Sequence, residues 1–340
     1  MFEPSFNLSN KLINNLSTIE RLYGQLEGMF IPKNLLLNLK TQNLIESSYV
    51  SNSIEGNPLT QNEVTNLLLD DRVPVNRDEK EVKNYFEILK NLGSYTDNSL
   101  NLDVALKIHL DLMKGVNDEI AGKIRNKVIV IGKYLDDKNE NVSLQVKHEP
   151  PSHNKSEIES SLIFLFDWLK KSDRQSILKA GIFHHQFVFI HPFLDGNGRT
   201  CRLLTALILL NYGYKVNKYF VLDDYYDIDR EQYSDKLHTA DYKDKTEWLE
   251  YFTDGIKYSL QSSLSKTKDG VSNLRVNNRP TDKEGEVLDI IKEKREITST
   301  DLAKILDVSR QQAHQLLSAL VEKKFLEKKG KTKSSYYVLV

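Results

Sequence analysis

The sequence predicts a mainly α protein, a helical core carrying one small β-hairpin and followed by a C-terminal winged helix-turn-helix. Three observations carry this. Apolar residues recur at spacings of three and four along most of the chain. Gly and Pro are few, 15 and 8 in 340 residues, too few for a turn-rich all-β protein. The segment 281–340 compresses three helical patterns and two strand patterns behind a polar stretch, the layout of a winged helix.

In order along the chain, residues 8–30 set Leu8, Leu12, Leu16, Ile19, Leu22 and Leu26 on one stripe. Residues 34–55 give a second helix, stopped by Gly56-Asn57-Pro58. Thr60-Gln61-Asn62-Glu63 is a capping box that opens a helix through Leu69. Further helices are expected over 78–92, 103–116, 157–170, 176–190, 199–212, 231–237 and 248–263. Val128 to Ile131 is a β-branched run, Asp136 to Asn141 a polar turn, and Val142 to Val146 alternates, which together read as one hairpin. No internal repeat is found. The polar segment 265–280 holds Gly270, Asn273, Asn277 and Asn278 and closes on Pro280, so a linker is expected there. Beyond it, Val287, Leu288, Ile290 and Ile291 mark one helix, 300–306 a second and 311–321 a third. Short strands at 325–327 and 335–340 flank a turn with Lys328, Lys329, Lys331 and Lys333. The expected organisation is an N-terminal helical region (1–95), a core (96–264), a linker (265–280) and a winged helix (281–340).

Charged residues at 28 % and hydrophobic residues at 39 % exclude wholesale disorder and a fibrous repeat. With 47 Lys plus Arg against 48 Asp plus Glu, the net charge of −1 argues against a globally basic nucleic-acid coat and leaves a local basic patch open. A single cysteine, Cys201, excludes a disulfide framework and a cysteine-based zinc site, and fits a reducing, cytoplasmic location. Met1 to Asn10 shows no secretory pattern. No run approaches the roughly 18 apolar residues that span a membrane, so no membrane partner is expected.

The chemistry concentrates in His191-Pro-Phe-Leu-Asp-Gly-Asn-Gly-Arg-Thr-Cys-Arg202. Pro192 cannot continue the preceding helix, so His191 stands at its end facing a loop. Asp195 suits a helix cap or a hard divalent cation. Gly196 and Gly198 let backbone N–H groups approach a ligand at a helix start, where the dipole favours an anion. Arg199 and Arg202, three apart, point from one face and suit phosphate oxygens. A histidine, a carboxylate, an anion nest and two arginines in twelve residues describe a phosphate-chemistry site.

This string resembles the Fic family motif HPFx(D/E)GNGRxxR at every specified position, and His184, Phe187 and Ile190 fit its lead-in. The resemblance covers roughly 95–255. It implies a protein adenylyltransferase that moves AMP from ATP to a Tyr, Thr or Ser hydroxyl of a target protein or of itself. His191 would be the general base, and an imidazole at its ordinary pKa of about 6.5 suits that role. Asp195 would hold Mg2+. Gly196, Asn197, Gly198, Arg199, Thr200, Cys201 and Arg202 would bind ATP, with Tyr233 near the adenine. Doc-type kinases of the same family carry Lys where this chain has Gly198, which disfavours phosphorylation. For Tyr233 a plain core tyrosine is the competing reading, and for Cys201 simple packing. His184-His185 is not at i,i+4 spacing and reads as helix packing rather than as a metal pair.

Ser51-Asn-Ser-Ile-Glu55-Gly56 closes the helix of residues 34–55. A carboxylate there faces the negative end of the helix dipole, at a cost of about 0.3–1 kcal/mol, so Glu55 is either solvated or paired elsewhere. The string resembles the family's (S/T)xxxE(G/N) inhibitory motif, which implies that Glu55 takes Arg202 from the γ-phosphate, with Ser51 in support. The hairpin at 128–149 would be the flap that lays a target segment down as an added strand. Its Asp136 to Asn141 insertion departs from the family pattern. The segment 281–340 has 12 Lys/Arg and 10 Asp/Glu, net +2, with Arg310, His314, Lys323, Lys324 and the wing lysines placed for DNA backbone. A DNA-binding regulator that uses the core as a nucleotide sensor is therefore the alternative. The sequence leaves a homo-oligomer open.

Overall fold

In the computed structural model the described residues are 2–95, 100–137, 141–277, 281–323, 325–330 and 335–339. Lys324, Lys331, Lys333 and part of the Asp136 to Asn141 turn lie outside them. The chain divides into two compact units, Met1–Thr267 and Lys268–Val340.

The first unit is helical: α1 (Asn10–Gly28), α2 (Lys33–Ile54), α3 (Gln61–Leu69), α4 (Arg77–Lys90), α5 (Leu102–Met113), α6 (Lys155–Lys171), α7 (Ser176–Ile190), α8 (Asn197–Asn211), α9 (Asp224–Ile228), α10 (Arg230–Thr239) and most of α11 (Thr246–Asn277). α7 and α8 form its centre. Both are buried on nearly every face, because Ile, Leu, Phe and Ala occupy positions all round them rather than on one stripe. The surrounding helices are amphipathic and turn one face inward. Leu12, Ile19, Leu22 and Leu26 of α1 join the same hydrophobic core as α7, α8 and Leu264, so the N-terminal helices and the central pair share one interior. α3 opens with the expected capping box between Thr60 and Glu63.

The hairpin pairs β1 (Ile131–Asp137) with β2 (Asn141–His148) in antiparallel register. The strand expected over Val128 to Ile131 starts only at its last residue. β2 ends opposite Ile131, so residues 128–130 have no strand to pair with, and Val128 and Val130 are exposed. The linker expected from 265 is likewise displaced, because α11 continues to Asn277. Its inward spacing persists through Leu260, Leu264 and Thr267, all buried, and Gly270 costs only about 1 kcal/mol within a helix. The short α9 has no periodic signal and is not expected from the sequence.

The second unit, taken by itself, contains α12 (Asp282–Lys294), β3 (Glu296–Ile297), α13 (Ser299–Ile305), α14 (Arg310–Glu322), β4 (Leu326–Lys329) and β5 (Tyr336–Leu339). Its sheet runs β3-β5-β4, so the two-residue β3, missed by the sequence, joins the expected hairpin. Val287, Ile291, Leu302, Ala313, Leu317, Leu320 and Tyr337 form a separate core. Ser309 and Gln312 cap α14 reciprocally.

Candidate active site

The site is built where α7 stops and α8 starts. His191 caps α7 with a left-handed backbone, φ 51° and ψ 63°, a conformation that a non-glycine residue holds only when its surroundings impose it. Three side chains impose it here. Arg125 donates to His191 O (2.7 Å), Ile190 O (3.3 Å), Ser152 O (2.7 Å) and Lys127 O (2.9 Å). Asn197 closes the loop on itself: its Oδ1 accepts from Phe193 N and its Nδ2 donates to Phe193 O, both at 2.8 Å. The His109 ring stacks on Phe193 at 3.7 Å; its Nδ1 accepts from Gly122 N, so Nε2–H donates to Asp195 O at 3.0 Å. None of Arg125, His109 and the Phe193 backbone stands out by spacing, and the sequence reading missed this frame.

The same frame orients the imidazole of His191. Its Nδ1 lies 3.2 Å from Val188 O; a carbonyl only accepts, so Nδ1 carries the proton and Nε2 holds the lone pair. Burial pushes the His191 pKa down to about 4, below the ordinary value expected from the sequence. At neutral pH the ring is a neutral acceptor.

α8 begins with Gly196 at φ 75° and with no side-chain cap. A Cβ at Gly196 would crowd Met113 Sδ at 3.2 Å. Asp195 Oδ1 accepts from Gly196 N at 2.6 Å, and its other oxygen meets Arg77 at 3.1 Å. Asp195 is 41 % exposed.

The two arginines of α8 are both buried and have different partners. Arg199 pairs with Glu81 of α4 at 2.9 Å and reaches Asp195 at 3.4 Å, while its Nε has no hydrogen-bond partner among the described residues. Arg202 donates from Nε to Ser51 Oγ (2.6 Å), and from Nη2 to Ser51 O (2.8 Å) and Glu55 Oε1 (2.7 Å). Asp223 lies 3.9 Å from its Nε. Burial opposes the charge on Arg202, but Glu55 and Asp223 outweigh it and its pKa is raised. Burial lifts the Asp223 carboxyl to about 6 against the pull of Arg202. Glu55 is the C-cap of α2, and the unfavourable helix end is relieved a second way: Arg230 donates to Ser53 O (2.6 Å) and Ser53 Oγ (2.7 Å) in the last turn. The Glu55 carboxylate also sits over Gly198, so that a Cβ there would run into Oε1. A glycine at this position is what admits an acidic oxygen to the start of α8.

These groups face a cavity of ≈ 430 Å³ lined by Glu55, His191, Gly198, Arg202 and Tyr233, with Gly132 and His148 of the hairpin on another wall. The structure thus brings together Glu55, His191, Gly198, Arg202 and Tyr233 around one space, with Ser51 buried behind Arg202. Tyr233 is buried; its hydroxyl meets His184 Nε2 at 2.9 Å, and its ring stacks on Tyr226 at 4.5 Å. The side chains of Thr200 and Cys201, two of the expected ATP contacts, are fully buried and do not line the cavity. Cys201 Sγ contacts His184 O at 3.3 Å, and burial raises the thiol pKa, so it is a packing residue. Their positions on the first two turns of α8 aim these two side chains inward. His184 and His185 are buried and hydrogen-bonded within the helical core, as helix packing requires.

Residues 99–209 match the Fic/DOC family, and residues 281–330 match the IclR helix-turn-helix domain. The chain is 26 % identical over 229 residues to Protein adenylyltransferase Fic of Nematostella vectensis, covering 64 % of this chain and 48 % of that protein. It is 26 % identical over 186 residues to Protein adenylyltransferase fic-1 of Caenorhabditis elegans, covering 54 % and 32 %. The chain therefore spans between about a third and a half of the length of these curated relatives. A solved Fic family protein from Desulfovibrio desulfuricans shares the fold with a TM-score of 0.69 at 24 % identity, over 100 % of this chain and 98 % of that one. A segment of Fic-1 from C. elegans does so with a TM-score of 0.61 at 22 % identity, over 76 % and 73 %. Motif, site geometry and family match converge on residues 99–209, which match the Fic/DOC family, while residues 281–330 match the IclR helix-turn-helix domain.

Proposed function

We propose that the chain transfers AMP from ATP to a Tyr, Thr or Ser hydroxyl of a target protein, or of itself, and that Glu55 holds it in an inhibited state. The observation that carries this reading is the pairing of Glu55 with Arg202 over Gly198, within the same cavity as the Nε2 lone pair of His191. In the step, the target hydroxyl gives its proton to His191 Nε2, its oxygen bonds to the α-phosphorus, and the bond to the β-phosphate oxygen breaks, releasing pyrophosphate. The chain supplies position and charge: N–H groups at the start of α8 face the phosphates, and Arg199 and Arg202 hold the outer ones. Asp195 is a half-exposed carboxylate at this helix start, a hard single-oxygen donor of the kind that binds Mg2+ together with water and substrate phosphates, so the residues fit that ion. When bound, Mg2+ would neutralise charge on the α- and β-phosphates. Reaching it requires Asp195 to release Arg77. A target segment would lie along the free edge of the two-stranded hairpin near 128–149.

Relatives named protein adenylyltransferases support the reaction at the level of the family. The test is incubation with ATP labelled in its α-phosphate. Glu55→Gly should label protein well above wild type. Equal rates would remove the inhibitory role, and no labelling by either protein, of itself or of a lysate, would overturn the reaction. The match of 281–330 to an IclR helix-turn-helix favours a second reading for that unit, contact with DNA through α14. Nucleotide-dependent retention of DNA without AMP incorporation would favour a regulator over an enzyme.

A further inference from the structure

A second cluster stands beside the cavity and takes no part in the reaction above. His148 of β2, His238 in the last turn of α10, and Asp241 in the 3-10 turn Ala240–Tyr242 each bring a ligand atom within 4.8 Å of the others. We propose that His148 Nδ1, His238 Nδ1 and Asp241 Oδ2 bind one divalent first-row transition-metal ion of the zinc kind, which ties the hairpin to α10.

The tautomer of His148 makes the first point. Its Nε2 lies 2.9 Å from Phe189 O, which only accepts, so Nε2 carries the proton. A neutral ring then turns the Nδ1 lone pair towards Asp241 Oδ2 at 3.5 Å, and two electron-rich atoms repel unless a cation lies between them. The second point is the carboxylate. Asp241 Oδ1 accepts from His185 Nε2 at 2.9 Å, and His185 Nδ1 in turn faces the ammonium of Lys245 at 2.8 Å. That outer chain fixes the carboxylate and presents Oδ2 inward, as a second shell does for a metal ligand; the backbone carbonyl of Phe189 does the same for His148. The third point is distance. An ion with bonds of about 2.0–2.1 Å in tetrahedral geometry sets its ligands about 3.3 Å apart. His148 and His238 stand 3.5 Å and 3.0 Å from Oδ2. The third edge, between the two rings, lies within 4.8 Å.

Two imidazoles and one carboxylate suit zinc, cobalt or ferrous iron and not Mg2+ or Ca2+, which prefer oxygen. Three protein ligands leave a position for water, and His148 and His238 also line the cavity, from which solvent has access. The ligands come from three elements in two stretches of chain about 90 residues apart, so an ion here fixes one cavity wall against another.

The test uses the full chain, treated with EDTA, dialysed and titrated with Co2+ and with Zn2+. Wild type should bind one equivalent saturably, with visible Co2+ absorption bands, and Zn2+ should raise its melting temperature. Asp195→Asn should bind equally well, which separates this ion from the one at the phosphate site. His153→Ala, an exposed histidine nearby, should change nothing. His238→Ala should weaken binding at least about a hundredfold and abolish the thermal shift, and His185→Gln should weaken it about ten- to hundredfold. His238 is 24 % exposed, so its removal should leave the metal-free melting temperature near wild type; His238→Gln serves as a fuller replacement if it does not. No saturable binding by wild type, or equal binding by wild type and both His238 variants, would show that a proton rather than a metal joins His148 to Asp241.

Discussion

The two compact units treat charge in opposite ways. In residues 2–267, Glu81, Arg125, Lys179, Arg199, Arg202, Asp223 and Lys245 are all less than a tenth exposed. In residues 268–340, among those described, Glu284 is the one buried charge; it meets Lys323 at 2.7 Å, which removes Lys323 from the basic surface expected of it. Taking an ion out of water costs several kcal/mol, which helix packing does not require. The second unit closes its core with Val287, Ile291, Leu317 and Tyr337 and, Lys323 apart, leaves the lysines and arginines among its described residues exposed. In the first unit Arg202 lines the cavity with Asp223 beside it, Arg199 and Glu81 pair at the start of α8, and Arg125 holds the turn of His191. There low dielectric strengthens each interaction and fixed geometry replaces solvent reorganisation, whereas Lys179 and Lys245 do not line the cavity. Much of the first unit's buried charge thus stands in or next to the site, whereas the described charge of the second unit lies mostly outside its core. Substitutions should divide along the same line: large and specific inside the first unit, small and salt-dependent on the second.

The largest effect is expected at His191. His191→Ala should lower AMP transfer about 10²- to 10⁴-fold and leave ATP binding nearly intact, because in the proposed reaction the ring acts on the target hydroxyl and not on the nucleotide. Transfer at the wild-type rate would remove it from the reaction. The pH profile sharpens the same point. With a folded-state pKa of about 4, the base is neutral and competent above that value and is lost as pH falls through it. The acid limb should therefore lie near pH 4 rather than near the ordinary histidine value of about 6.5. An acid limb near 6.5 in the wild type would mean that the ring leaves its buried position before it works.

Next comes the Glu55–Arg202 pair. Glu55→Gly should raise transfer roughly ten- to hundredfold if the pair controls about 1.4–3 kcal/mol of the productive pose. Arg202→Ala should be nearly inactive, and adding it to Glu55→Gly should cancel the activation, a non-additivity expected of two groups sharing one contact. The fold should tolerate the first change better than the second. Without Glu55, Arg202 keeps Ser51 and Asp223; without Arg202, a buried Asp223 loses its cation. Autoadenylylation rates for the four proteins of this cycle decide the matter.

Arg125 tests the frame rather than the chemistry. Arg125→Met keeps the volume and removes donors to four carbonyls, two of them on the turn that carries His191. It should lower stability by about 2–4 kcal/mol, measured by denaturant unfolding, and should lower the rate of transfer as well, because the left-handed turn at His191 loses its support. Stability lost with the rate unchanged would show that Asn197 and His109 hold the turn without it.

These groups differ in how far the sequence exposes them. The string from His191 to Arg202 is legible because one loop and one helix carry all of it, so neighbours in sequence are neighbours in space. Glu55 is legible for another reason: a carboxylate at a helix C-terminus breaks a local rule, and broken rules gather where a partner waits. Arg125, His109 and Asp223 break no rule and keep no spacing; they reach the site only through the tertiary fold. The same holds for His148, His238 and Asp241, which no motif links. Thr200 and Cys201 show the converse. Their place inside the motif suggests ligand contact, but the pitch of α8 turns them into the core. In the polar stretch after residue 264, Gly and Asn content suggests a break, while the periodicity through Thr267 is the signal that α11 follows.

The smallest effects belong to the wing. If the second unit holds DNA, each lysine lost from a phosphate should lower the slope of log K against log salt by about 0.9 and weaken all sequences alike, with folding stability within about 0.5 kcal/mol of wild type. Lys328 and Lys329 should not be equivalent. They are consecutive on β4, so they point to opposite faces of the sheet. Lys328 shares its face with the buried Leu326 and lies over the Tyr337 ring at 6.0 Å, whereas Lys329 shares its face with Glu327, 3.6 Å away. One duplex approaching one face of the wing meets one of them. Lys328→Gln and Lys329→Gln, measured singly at several salt concentrations, should give one changed slope and one unchanged. Two equal changes would mean that the backbone passes along the edge of the wing, and two unchanged slopes would return these lysines to the role of solvated surface.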